Sequence, residues 1–287
     1  MQNMGASSDY IKPADIQAMV RTALVEDIGA GDLTARLVPA SQRSSAQVIS
    51  RESAIVCGMA WFEACFRQIA ADTEITWQVT EGEPVQPNQP LCEIRGNTRA
   101  LLTAERVALN FLQTLCATAT ITRQYVNAVA GTQAKIMDTR KTLPGLRLAQ
   151  KYAVTLGGGM NQRIGLYDGI LIKENHIAAA GGITAVLQAA RAIDRQAPIQ
   201  IEVETLQQLQ TALDAGAKLI LLDNFSLQDL HDAVTLNAGC ALLEASGGID
   251  LDNVRDIALT GVQRISIGAL TKNVRAIDLS LRFNHAF

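Results

Sequence analysis

Past about residue 130 the sequence alternates short apolar, β-branched-rich runs with amphipathic stretches, and this alternation constrains the fold more tightly than any other feature. The runs cover 134–138, 169–173, 199–203, 218–222, 241–245 and 264–267. Helical periodicity fills gaps between them, as over 184–193, 206–215 and 227–236. Runs this short and apolar read as strands buried on both faces, the mark of a parallel sheet. Strand–helix repetition at this spacing builds right-handed βαβ units. Each run ends in polar residues, which favours a barrel or partial barrel over an open doubly wound sheet. A dinucleotide fold would need G-x-G-x-x-G after its first strand. Gly157-Gly158-Gly159 is followed by Met160-Asn161-Gln162, so that fingerprint is missing.

Upstream the pattern is mixed, as in an α+β domain. Pro13 opens a helix whose Ile16, Met19, Val20, Ala23 and Leu24 share one face. Segments 46–50, 54–57 and 73–79 read as strands, and Trp61, Phe62, Cys65, Phe66 and Ile69 form a helical stripe. Pro84, Pro87 and Pro90 predict a loop over 81–90. A long helix is expected over 98–129, with a break near Cys116.

With 48% hydrophobic residues the chain can build a full core. A net charge of -3 and 4% aromatics leave neither the basic stripe nor the stacking platform of a nucleic-acid binder. No apolar run reaches the ~20 residues that span a bilayer, so no membrane partner is expected. Residues 1–15 show no secretory leader. The five scattered cysteines form no C-x-x-C pair. A cytoplasmic protein with free, buried thiols is expected.

In a parallel barrel the chemistry gathers at the C-terminal ends of the strands. Those ends carry Asp138-Thr139-Arg140-Lys141, Lys173-Glu174-Asn175-His176, Glu202 with Glu204, and Asp223-Asn224. The last two carry Glu244 with Ser246-Gly247-Gly248, and Gly268-Ala269-Leu270-Thr271-Lys272; Gln162 and Arg163 follow the glycine triplet. One charged loop is ordinary solvated polarity. Here Arg140, Lys141, Arg163 and Lys173 converge on one rim, which calls for a substrate with several anionic groups. Ser246-Gly247-Gly248, read as a turn before a helix at Asp250, and Gly268-Ala269 offer backbone N–H groups to phosphate. Plain turn chemistry would use the same glycines. Glu202 and Asp223 suit a hard cation such as Mg²⁺ shared with substrate phosphates; alternatively they neutralise the arginines. His176 serves either substrate or structure. No nucleophile–base set of the protease kind is visible.

These segments resemble the quinolinate phosphoribosyltransferases, in order, over nearly the whole chain. The resemblance is carried by A-E-R-V-A-L-N-F at 104–111, D-T-R-K-T-L-P-G-L-R at 138–147, K-Y-A-V at 151–154 and Gly157-Gly158-Gly159. L-I-K-E-N-H at 171–176, L-D-N-F at 222–225, Ser246-Gly247-Gly248 and G-A-L-T at 268–271 complete it. It implies a mixed α/β N-terminal domain over 1–115, joined by the C-terminal segment 276–287, and an incomplete seven-stranded barrel over 116–275. It implies a homodimer with shared active sites. The implied reaction joins quinolinate to phosphoribosyl pyrophosphate with Mg²⁺, yielding nicotinate mononucleotide, pyrophosphate and carbon dioxide.

Carried over by motif, Arg140, Arg163 and Lys173 hold the quinolinate carboxylates, and Arg106 completes the site of the other subunit. Lys141, Glu202 and Asp223 are the catalytic set, serving the ribosyl pyrophosphate and its metal. Thr139 belongs to the substrate-binding turn, and Ser246, Gly247, Gly248, Ile267, Gly268 and Ala269 line the phosphate end. The family usually has histidine where this chain has Gln162, which is still expected to meet quinolinate or its neighbours. The rival readings are a related phosphoribosyltransferase for another acid, a barrel lyase or isomerase for a sugar phosphate, and a non-catalytic sensor of phosphorylated metabolites.

Overall fold

The computed structural model describes residues 10–193 and 196–286; residues 1–9, part of the stretch searched for a leader, lie outside them. The chain divides into two compact units. One holds the described residues up to Arg123, Leu143–Gly158 and the chain from Asn273 on; the other holds Gln124–Thr142 and Gly159–Lys272.

The first unit contains α1 (Pro13–Ile28), β1 (Arg43–Ser50), β2 (Ala54–Ile55), α2 (Met59–Ile69), β3 (Glu74–Trp77), β4 (Pro84–Val85) and β5 (Pro90–Asn97). It continues with α3 (Thr98–Ala128) as far as Arg123, α4 (Arg147–Leu156) and β12 (Leu279–Ala286). Its antiparallel sheet has the order β12-β1-β5-β3, and β2 pairs separately with β4.

Helix α3 runs 31 residues without Gly or Pro, and Asn97 Oδ1 caps it by accepting the Ala100 N–H at 3.2 Å. Leu101, Ala104, Ala108, Leu112, Leu115 and Ala119 recur at helical spacing and are fully buried. Each such leucine contributes ~1.5–3 kcal/mol by leaving water. The expected break at Cys116 does not occur, because Cys116 is buried in this packed stripe and tertiary contact overrides weak propensity. The three prolines do not make all of 81–90 a loop either. Pro84 lies in the short edge strand β4 and Pro90 opens β5, positions where a missing N–H is tolerated. Gly157 is required by packing: a Cβ there would meet the Ala119 carbonyl oxygen at 2.6 Å. Arg123 then closes the end of α4, donating to the Gly157 and Leu156 carbonyls at 2.9 and 3.1 Å.

The second unit contains β6 (Lys135–Met137), β7 (Ile170–Ile172), α5 (Glu174–Ala179), α6 (Ile183–Ile193), β8 (Ile199–Val203) and α7 (Leu206–Asp214). β9 (Leu219–Asp223), α8 (Leu227–Asn237), β10 (Leu242–Ser246), α9 (Val254–Leu259), β11 (Arg264–Ser266) and α10 (Ala269–Lys272) follow. The six strands form a parallel sheet in the order β6-β11-β10-β9-β8-β7. A closed barrel would pair each strand with the next and the last with the first. Among the described residues the β6–β7 pairing is the one absent, so this is a barrel opened between its first and second strands. In place of a seventh strand, Met160 makes one isolated bridge to Met137. Gly158 and Gly159 precede it, and the next residues turn to bond Asp138, so no longer ladder forms.

Parallel register fixes the faces. Ile201, Ile220, Leu222, Leu243, Ala245 and Ile265 share one face and are buried. Gln200, Glu202, Asp223, Glu244, Ser246 and Ser266 share the other, since side chains alternate along each strand. An apolar outer face, and an inner one that mixes Leu219, Leu221 and Leu242 with these polar residues, explain why the strands read as continuous runs that end in chemistry.

Candidate active site

The strand ends of the second unit hold the cations and carboxylates together. At the end of β6, Lys141 is set by its own backbone. Its N–H donates to Thr139 Oγ1 at 3.0 Å, and its carbonyl accepts from Thr271 Oγ1 at 2.7 Å. Gly268 leaves room for it: a Cβ there would lie 3.1 Å from Lys141 Cδ. Ile267 donates its N–H to the Met137 carbonyl at 3.0 Å with its side chain buried, so it offers only backbone to the site. Ala269 begins α10, and Gly268 caps it through its carbonyl.

After β7, Lys173 Nζ donates to Glu202 Oε2 at 2.9 Å. The Glu202 side chain is 11% exposed and the Lys173 side chain 45%. His176 has a structural bond, its Nδ1 accepting the Lys173 N–H at 3.0 Å. Asp223, the last residue of β9, accepts from Asn224 Nδ2 at 2.8 Å. Asn224 has φ 57° and donates its N–H to the Ser246 carbonyl at 2.8 Å. Its side chain fills the space over Gly247, where a Cβ would clash with Asn224 Oδ1. Gly247 also has φ 101°, so only glycine serves there. The helix expected at Asp250 starts later, at Val254. Asp250 instead forms a turn, its carboxylate accepting from the Asp252 and Asn253 N–H groups at 3.0 and 3.1 Å. The Ser246-Gly247-Gly248 loop therefore offers its own backbone rather than a helix end.

Arg163 donates NH1 to the Gly169 carbonyl at 3.0 Å. Burial, and secondly the charge of Arg140, pulls its guanidinium below the ordinary arginine value; Asp168 works the other way. The two guanidiniums lie close enough for each to feel the other's charge. Arg106 lies in the first unit, exposed on α3. Burial raises the carboxyl of its neighbour Glu105, and the Arg106 charge opposes that shift.

Three residues that the sequence marks at strand ends without a role prove to be supports. Asp138 is fully buried and accepts from Asn161 Nδ2 at 2.6 Å and from the Gln162 N–H at 2.8 Å. Glu244, inside β10, accepts from the side-chain amides of Gln162 and Gln200. Thr271 pins the Lys141 carbonyl. Their available signal was a polar residue at or near the end of an apolar run.

Fold and site together define an open-barrel enzyme for a small, multiply anionic substrate. Residues 32–116 match the family model for the quinolinate phosphoribosyl transferase N-terminal domain, and residues 118–282 match that for its C-terminal domain. The chain belongs to this family. It is 42% identical over 269 residues to nicotinate-nucleotide pyrophosphorylase (carboxylating) of Mycobacterium leprae, covering 91% of this chain and 95% of the other. It is 39% identical to a probable nicotinate-nucleotide pyrophosphorylase (carboxylating) of Bacillus subtilis, covering 93% and 92%. The solved nicotinate-nucleotide pyrophosphorylase of Francisella tularensis superposes with a TM-score of 0.91 at 43% identity, covering 96% and 98%.

Proposed function

We propose that this chain transfers the phosphoribosyl group of phosphoribosyl pyrophosphate to quinolinate, releasing pyrophosphate and carbon dioxide and forming nicotinate mononucleotide in NAD biosynthesis. The observation that carries this is the Arg140–Arg163 neighbourhood at the strand ends of a parallel sheet whose β7 is also followed by a cation, Lys173, a basic set suited to a dicarboxylate. The ring nitrogen of quinolinate forms the new bond to the anomeric carbon as the bond to pyrophosphate oxygen breaks. Lys141 stabilises the charge on the departing pyrophosphate, while Glu202 and Asp223 tolerate the positive ribose. Ser246, Gly247, Gly248, Gly268 and Ala269 offer main-chain N–H groups to phosphate. The alkylated ring then withdraws electrons. The adjacent carboxylate leaves as carbon dioxide, and the bond electrons left on the ring carbon take up a proton. Orientation and desolvation of the carboxylate suffice for the loss of carbon dioxide, and solvent supplies the proton.

Among the described residues no group of three or more His, Cys, Asp or Glu side chains could cage a metal. Glu202 and Asp223 nonetheless fit Mg²⁺, a hard cation that takes one or two carboxylates plus substrate phosphates. When bound it would neutralise pyrophosphate charge. The same proposal includes a homodimer in which Arg106 serves the other subunit's site, and a cytoplasmic location. Free cysteines accord with a reducing compartment. No described helix is long and apolar enough to cross a membrane.

Mixing the purified protein with quinolinate, phosphoribosyl pyrophosphate and Mg²⁺ tests the proposal. Equimolar pyrophosphate and carbon dioxide are expected. Pyrophosphate release with another acid but not quinolinate, or no release at all, would overturn it.

A further inference from the structure

Beneath the site lies a carboxylate that the chemistry above does not use. Glu244 is 1% exposed on the inner face of β10. One oxygen accepts from Gln162 Nε2, and the other accepts from Gln200 Nε2 at 3.0 Å. Gln162 is also held by its main chain, whose N–H donates to buried Asp138 at 2.8 Å, while Asn161 Nδ2 donates to the second Asp138 oxygen at 2.6 Å. Arg163 follows directly, tied to the Gly169 carbonyl at 3.0 Å. Three successive residues, 161–163, are thus each fastened to a fixed point.

A carboxylate inside a sheet is costly to desolvate, and an apolar residue there is often as stable or more so. Leu221, the register partner of Glu244 on β9, shows that this face accepts leucine. What a buried hydrogen-bonded cluster adds is a single defined arrangement of the groups it joins. Here those groups carry the arginine that faces the anion. We infer that Glu244, with Gln200, is a positioning residue: it grips the Gln162 side chain and so fixes the backbone from which Arg163 meets the acid substrate, a role that rests on the function proposed above.

The test is a double-mutant cycle read in the separate KM values of the two substrates. Glu244→Leu is expected to raise KM for quinolinate about tenfold and KM for phosphoribosyl pyrophosphate less than about twofold. Glu244→Gln keeps polar atoms for both amides and should recover KM to within about threefold of wild type. In an Arg163→Lys background Glu244→Leu should add less than about twofold, because both changes remove the same contact. Gln200→Leu, which leaves the Gln162 bond in place, should raise the same KM by about threefold and lose that effect in the same background. Should Glu244→Leu fail to fold, Gln200→Leu decides. Additive effects, an unchanged KM for quinolinate, or equal rises for both substrates overturn the inference alone. A wild type that does not turn over quinolinate overturns the proposed function and this role with it.

Discussion

Two buried glutamates, one in each unit, use their oxygens in opposite ways. Glu81 accepts main-chain N–H groups, from Gly58 at 3.0 Å and Met59 at 2.7 Å, and so closes the start of α2. Glu244 accepts side-chain amides, one of them from the loop that bears Arg163. Burial pushes both carboxyls up, Glu81 to about 7, against the pull of those donors. A main-chain partner completes a helix that the fold needs in any case. Side-chain partners drawn from a strand-end loop hold an arrangement that the fold could do without. The first unit's buried glutamate serves its own architecture, and the second unit's serves the rim.

The largest expected effect tests whether rim groups are dispensable for folding. Lys141→Ala and Asp223→Ala should each lower turnover by about 100-fold or more. Both sit at strand ends outside the core, so melting temperatures should barely move. A large fall in melting temperature for both would make them architectural and erase the contrast.

Next in size is a test of the proposed homodimer in which Arg106 serves the other subunit's site. Arg106→Ala and Lys141→Ala should each be nearly inactive. Refolded together in equal amounts, half the dimers are mixed and each has one intact site of two, so about a quarter of wild-type activity should return. Pyrophosphate release is the assay. No recovery from mixed dimers confirmed by mass would mean that Arg106 serves its own subunit or that the two sites work only together.

A smaller effect is expected from Gln162→His. The new imidazole, with an ordinary pKa near ~6.5, would take the place of the amide that meets Glu244. The acid substrate should stay the same while the pH profile of kcat/KM steepens near neutrality. Identical profiles for the two proteins would remove this expectation.

The smallest effect concerns Glu81. Its folded value lies above the ordinary carboxylate value, so its contribution to stability is fully present below about 4.5 and is lost as pH rises through about 7. The wild-type melting temperature should therefore fall between pH 5 and 8 by more than that of Glu81→Gln, at ~2–4 °C per kcal/mol. Parallel melting curves across that range would show that the charged form is already satisfied by its N–H donors.

The barrel strands were legible because each is a local apolar run whose end is marked by a polar residue; β8 begins and ends where the pattern puts it. β12 and β4 were not, because their pairing with β1 and β2 depends on distant chain rather than on periodicity. Helix α4 was hidden for a related reason, since its buried face includes Gln150 and Lys151 beside Ala149 and Ala153. In the site, the cations were legible by residue type. The partners of Glu244 were not, because Gln200 lies two strands away and Gln162 arrives from a loop. Cys240, expected to be buried, is exposed, for it lies in the turn between α8 and β10.

The opening between β6 and β7 has a consequence for synthesis of the chain. In that interval the polypeptide leaves the barrel at Thr142, gives α4 to the other unit and returns at Gly159. Among the described residues the edge of β1 away from β5 is covered by β12, at Leu279–Ala286. On the ribosome the N-terminal sheet, though begun first, is finished last, after every barrel strand has emerged. Until then β1 presents an unpaired strand edge, the kind of surface on which nascent chains associate wrongly. A nascent chain halted after Lys272 would hold every strand of the barrel and still lack the cover for β1.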